Sequence, residues 1–136
     1  MTDEKAKILV IDDDPDFRDA VTAILTSGGY RVVPATGPED GKAKLLSERP
    51  DLILLDIMMD SLFDGYVLCH AVKTAPEFES VRATPIVFVS AVKDLAGARF
   101  GFQGGGEGLS EPDDYIDKPV KPAVLLARVQ SLLAKK

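Results

Sequence analysis

Three short apolar runs and one mixed segment each end in a group that could do chemistry. Ile8 to Ile11 leads into Asp12 and Asp13, and Leu52 to Leu55 leads into Asp56. Ile86 to Val89 leads into Ser90, and the segment YIDKP carries Lys118. If these runs are neighbouring parallel strands, three acids, a hydroxyl and an ammonium converge around Asp56. Three close carboxylates repel one another and push a proton affinity up unless a cation joins them. A hard divalent ion such as Mg2+ suits carboxylates, a carbonyl and water. With the ion present, the cluster accepts phosphate oxygens. A carboxylate can attack phosphorus and form an acyl phosphate. A lysine offsets charge on the transferring group, and a hydroxyl can bond one of its oxygens. The residue types therefore fit phosphoryl transfer onto Asp56.

Positioning that cluster requires a particular order of elements. The β-branched content of Ile8 to Ile11 and the polar loop after it favour a strand. Asp14-Pro15 starts a helix, with Asp as N-cap and Pro in the first turn. Phe17, Val21, Ile24 and Leu25 follow on one apolar face, and Gly28-Gly29 ends the helix. Tyr30 to Ala35 reads as the second strand. Thr36-Gly37-Pro38 opens a second helix running to about Glu48. Its face is thin (Ala43, Leu45, Leu46), and Gly41 weakens it by up to ~1 kcal/mol relative to Ala. Arg49-Pro50 stops it.

Leu52 to Leu55 is the third strand. Asp64-Gly65 turns into a third helix holding Tyr66, Leu68, Cys69 and Val72, which Ala75-Pro76 closes. Glu77 to Thr84 is expected to be a loop with room for one further turn. Ile86 to Val89 is the fourth strand. Six glycines between Gly97 and Gly108 argue for loop. Tyr115 to Asp117 is the fifth strand. The last helix runs from about Pro122 to Ala134, with Val124, Leu125, Arg128, Val129, Leu132 and Leu133 arranged amphipathically. Alternating strands and helices predict one parallel sheet covered on both faces. Right-handed crossovers leave few topologies and place sites at the C-terminal strand ends.

Composition narrows the partners. The chain has 136 residues and a net charge of −6, which suits one domain and disfavours direct nucleic-acid or anionic-membrane binding. No apolar run approaches the ~18 residues of a membrane span, so no membrane insertion is expected. The opening MTDEKAK is charged and does not read as a signal peptide. Cys69 is the single cysteine and His70 the single histidine. An internal disulfide is therefore ruled out, in keeping with a reducing cytoplasm, and zinc or Ser/His catalysis has little to work with. Cys69 is expected in the core and His70 on a helix face.

The motifs ILVIDDDPD, DLILLDIMMD, Asp64-Gly65, PIVFVSA and DDYIDKPV, in this order, resemble the response-regulator receiver domain of bacterial two-component signalling. The resemblance spans nearly the whole chain. It implies a flavodoxin-like (βα)5 fold with the family's strand order, 2-1-3-4-5. It implies a cytoplasmic receiver over residues 1–136, with no output domain among them. By motif, Asp56 would be the phospho-acceptor. Asp13 would hold Mg2+ directly, Asp12 largely through water, and Met58 through its backbone carbonyl. Ser90 would be the switch hydroxyl and Tyr115 the switch aromatic, with Lys118 beside a cis bond to Pro119.

The implied partners are a histidine kinase or histidine-containing phosphotransfer protein and an unspecified downstream protein, with a homodimer left open. Such a protein is a signalling phospho-acceptor that catalyses its own phosphorylation and dephosphorylation, rather than a conventional enzyme.

Three departures from the family stand out. Asp60 occupies a position that is usually proline, with one residue inserted before Asp64-Gly65. The stretch from Glu77 to Thr84 is long. Gly97 to Gly108 lies where the family's fourth helix should run, in an interval about six residues longer than expected. Two other functions remain open on the residues alone: a receiver-like interaction module that works without phosphorylation, and a phosphatase of the haloacid dehalogenase class using Asp12 and Asp14.

Overall fold

The computed structural model describes residues 6–56, 64–91 and 112–134, without the side chains of Asp64, Tyr66, Ser90 and Ala91. Met58, Asp60 and the glycine-rich stretch from Gly97 to Gly108 lie outside the described residues, as does the hydroxyl of Ser90.

Five strands form one parallel sheet: β1 (Lys7–Ile11), β2 (Arg31–Ala35), β3 (Leu52–Asp56), β4 (Ile86–Ala91) and β5 (Asp114–Lys118). Their order is β2-β1-β3-β4-β5, as the family resemblance implied. The described helices are α1 (Pro15–Ser27), α2 (Pro38–Glu48), α3 (Asp64–Thr74) and α4 (Pro122–Ala134). Pro76–Val81, expected as a loop with one turn, forms a 3-10 helix whose Phe78 and Val81 are buried. Those two apolar side chains dock the segment on the sheet, which a reading of it as surface loop does not provide for.

The central strand β3 explains why a continuous apolar run was needed. Helix-covered parallel sheets are dry on both faces. Leu52 and Leu54 join Ile8, Val10, Val87, Val89 and Ile116 on the face covered by α1 and α4. Ile53 and Leu55 join Leu9, Ile11, Ile86 and Phe88 on the face covered by α2, α3 and the 3-10 helix. Cys69 is part of that second core.

The start of α1 follows the sequence closely. The Asp14 carboxylate accepts from the Asp16 backbone N–H at 3.0 Å, and Pro15 sits in the first turn. The face of α2 needs correction. Ala43 is exposed and Leu46 is 39 % exposed, whereas Gly41 and Leu45 are buried. Gly41 belongs to the packed face because it lies on Ile11. A Cβ there would fall 2.7 Å from Ile11 Cδ1 and 3.1 Å from Cγ1. The missing side chain lets α2 approach β1, so this glycine is a packing residue as well as a weak helix former.

In α4 the buried residues are Leu125, Val129 and Leu132, while Val124 is 40 % exposed. Arg128 instead reaches β5, pairing with Asp114 at 3.0 Å and donating to the Tyr115 carbonyl at 3.1 Å.

Candidate functional site

Side chains alternate along a strand, so every second residue shares a face. Ile8, Val10 and Asp12 share one parity, as do Leu52, Leu54 and Asp56, and likewise Ile116 and Lys118. The buried members of all three sets belong to the core under α1 and α4. Asp12, Asp56 and Lys118 are therefore the polar continuations of one dry face, at the end where each strand leaves the sheet. Asp12 lies one residue beyond β1, and its N–H donates to the Ala35 carbonyl at 3.2 Å. Asp56 is the last residue of β3 and lies in register with Val89 of β4.

The carboxylates of Asp12, Asp13 and Asp56 come together, with one ligand oxygen from each within 4.8 Å of the others. Asp12 and Asp56 are 1 % and 5 % exposed, while Asp13 is open to solvent. Two nearly buried anions need compensation, and Lys118 supplies part of it. Its ammonium lies 3.1 Å from Asp12 Oδ2 and 3.9 Å from Asp56 Oδ1. The Asp12 carboxylate is held at both ends, since its Oδ1 accepts from the Asp14 N–H at 2.9 Å. Arg18 Nη1 donates to the Asp12 backbone carbonyl at 2.6 Å.

An acidic cluster with one partly buried lysine can hold a hard divalent cation and still present a cation to an incoming anion. The donor set is all oxygen, without histidine or thiolate, which suits Mg2+ rather than zinc.

Tyr115 is half-buried and meets Phe88 edge-on, with ring centroids 5.8 Å apart and an interplanar angle of 84°. The two residues are register partners across β4 and β5. Ser90 lies opposite Asp117 in the same ladder. The Lys118-Pro119 peptide is cis. A groove of about 460 Å³ between β5 and α4, lined by Tyr115, Lys118, Lys121 and Arg128 among others, shares only Lys118 with the acidic cluster.

Two contacts at the site have no counterpart in the sequence. There, Arg18 is one more polar residue on α1, and Phe17 belongs to the apolar face alone. Phe17 does pack against the core, but its ring also lies 4.3 Å from the Lys118 ammonium. Neither contact has a local signal, because each depends on where the start of α1 lands relative to a strand end.

With this geometry in view, likeness to known proteins is informative. The family model for the response regulator receiver domain matches residues 8–130. The Streptomyces coelicolor "Transcriptional regulatory protein AfsQ1" is 34 % identical over 128 residues, covering 94 % of this chain and 51 % of that protein. The Synechocystis "DNA-binding dual master transcriptional regulator RpaA" is 33 % identical over 129 residues, covering 95 % of this chain and 49 % of that protein. The chain thus spans about half the length of these curated relatives.

Among solved structures, the Vibrio cholerae chemotaxis protein CheY4 superposes with a TM-score of 0.76 at 26 % identity, covering 94 % of this chain and 98 % of that one. A CheY-like response regulator receiver domain protein of Methanospirillum hungatei gives 0.76 at 28 % identity, with coverages of 97 % and 96 %. Among the described residues, no helix is long and apolar enough to cross a membrane.

Proposed function

The chain belongs to the response regulator receiver domain family, a family of signalling modules, and on that premise we propose that residues 1–136 form a single cytoplasmic phospho-acceptor receiver in which Asp56 takes a phosphoryl group from the phosphohistidine of a histidine kinase or phosphotransfer protein. One observation carries the reading: the Lys118 ammonium bridges the nearly buried Asp12 and Asp56 beside a third carboxylate, Asp13.

In the transfer, an Asp56 carboxylate oxygen forms a bond to phosphorus as the phosphorus–nitrogen bond of the donor histidine breaks. The imidazole leaves with the bonding pair and takes up a proton. Asp13 and Asp56 would hold Mg2+, with the Met58 carbonyl as a further ligand. Asp12, whose two oxygens accept from the Asp14 N–H and from Lys118, would act largely through water, as the family resemblance implies. The bound ion would supply charge neutralisation for the incoming phosphoryl oxygens.

Lys118 needs only a small shift, from Asp12 towards Asp56, to meet a phosphoryl oxygen. Ser90 would bond another. The added charge of roughly −1.5 to −2 biases a two-state element. Tyr115, which packs edge-to-face with Phe88, would report that change along β5 to a protein partner.

The test is incubation with acetyl phosphate and Mg2+, followed by weighing of the intact protein. A labile gain of one phosphoryl group, absent in Asp56→Asn, is the expected result. No gain under conditions that label a control receiver would overturn it in favour of a module that works unphosphorylated. Turnover of a phosphomonoester, lost in Asp12→Asn, would overturn it in favour of a phosphatase.

A further inference from the structure

An aromatic face lies beside Lys118. Asp14 caps α1 and Pro15 begins it, which puts Phe17 in the first turn. That turn faces the sheet, and Phe17 packs partly buried against the core under α1 and α4. Lys118 follows Ile116 on the same face, so its stem runs towards that turn. Its ammonium sits 4.3 Å from the Phe17 ring centroid, 3.1 Å from Asp12 and 3.9 Å from Asp56. A cation this close to a ring face is attracted by the ring quadrupole.

Lysine is a point charge on a flexible four-carbon stem and does not position itself. The Lys118 side chain is 25 % exposed, and the residue also lines the groove between β5 and α4. Its stem therefore borders solvent and that groove as well as the acidic pair.

We propose that Phe17 is a positioning residue whose ring holds the Lys118 ammonium at the acidic pair, so that phosphoryl transfer depends on an aromatic face at this position and not on apolar bulk alone. This rests on Asp56 being the acceptor. An aliphatic side chain would keep the core contact of Phe17 but offer no quadrupole. A tyrosine would keep both.

The test compares Phe17→Leu, Phe17→Met and Phe17→Tyr in the full chain, alone and with Lys118→Ala. The first readout needs no phosphorylation. Protons on the Lys118 ε-carbon, over the ring face, should show an upfield ring-current shift by NMR in the original protein and in Phe17→Tyr. The shift should vanish in Phe17→Leu and Phe17→Met. The second readout is the labelling rate with acetyl phosphate at saturating Mg2+. It should fall about three- to tenfold in the aliphatic variants, the worth of a partly desolvated cation–π contact. It should recover in Phe17→Tyr and change less than about twofold when Lys118 is already alanine, as expected if Phe17 acts through Lys118.

An equal loss with and without Lys118, an aliphatic variant labelled at the original rate, or no recovery in Phe17→Tyr would overturn the proposal. Should Phe17→Leu fail to fold, Phe17→Met carries the same comparison. A normal ring-current shift in a protein that takes no phosphoryl group would overturn the reading of Asp56 and leave the Phe17–Lys118 contact standing. Normal labelling without a ring-current shift would overturn the Phe17 proposal alone.

Discussion

Lys118→Ala should destabilise the protein in the absence of divalent metal and by less in its presence. The substitution removes a charged hydrogen bond of 3.1 Å to Asp12, whose side chain is 1 % exposed, and a longer ion pair of 3.9 Å to Asp56. A hydrogen bond involving a charged group contributes about 1.5–3 kcal/mol, and the partial exposure of Lys118 points to the lower half of that range. The expected loss in chelator is therefore about 2 kcal/mol.

Mg2+ should offset part of the perturbation. The ammonium competes with any cation for the same carboxylates, and a unit-charge pair about 4 Å apart is worth about 1 kcal/mol even in water. Its removal should tighten Mg2+ binding about fivefold, and binding linkage returns that gain as stability. With saturating Mg2+, the deficit should narrow to about 1 kcal/mol. Phosphorylation by acetyl phosphate should nonetheless be impaired.

The chain has no tryptophan, so urea unfolding followed by far-UV circular dichroism is the suitable assay, with Mg2+ affinity from calorimetry. An equal deficit with chelator and with Mg2+ would refute the reasoning. So would weaker Mg2+ binding in the variant, because Lys118 would then support the cation site instead of competing with it.

Two other substitutions test how the scaffold holds the site. Gly41→Ala gains about 1 kcal/mol of helix propensity but drives a Cβ to 2.7 Å from the fully buried Ile11, the residue before Asp12. Overpacking of this kind costs about 1–3 kcal/mol, so a net loss of about 1 kcal/mol is expected in urea unfolding. Adding Ile11→Val, which removes the nearest methyl, should recover part of the loss, and an additive double variant would refute the close-packing account.

The Thr36 backbone N–H beside Asp40 holds that carboxyl below its usual range, with Lys44 adding to the effect. A lowered carboxyl pKa in the folded state stabilises above the unfolded value and stops doing so as pH falls through the folded one. Asp40→Asn should thus cost about 0.5 kcal/mol near neutral pH, allowing for solvent screening. The difference from the original protein should fade as the pH drops through the carboxylate range, and a constant difference would refute it.

Much of this protein is set by local sequence. Leu52 to Leu55 reads as a strand because a short unbroken apolar run bounded by polar residues suits a strand covered on both faces. Asp14-Pro15 marks the start of α1 because a carboxylate satisfies a free N–H there and proline has none to lose. Short apolar runs that each end in acids, a hydroxyl or a lysine disclose the strand-end cluster, because parallel crossovers gather C-terminal strand ends on one edge. Strand ends are less legible. Tyr115 to Asp117 stops one residue short on each side, since pairing with β4 extends β5 to Asp114–Lys118.

Other features depended on the packed molecule. Gly41 looks like a defect in α2 until Ile11 is beneath it. The strands place Lys118 near the acids, but only the packing puts its ammonium nearer to Asp12, 106 residues away in sequence, than to Asp56. Phe17 reads as one more apolar residue at helical spacing, and its place beside Lys118 arises because the Lys118 ammonium comes to rest 4.3 Å from its ring. Periodicity and capping are encoded within a few residues of one another. Where an ammonium comes to rest among two carboxylates and a ring is decided by side chains from three separate stretches, Asp12 with Phe17, Asp56 and Lys118, and only the closed fold brings them together.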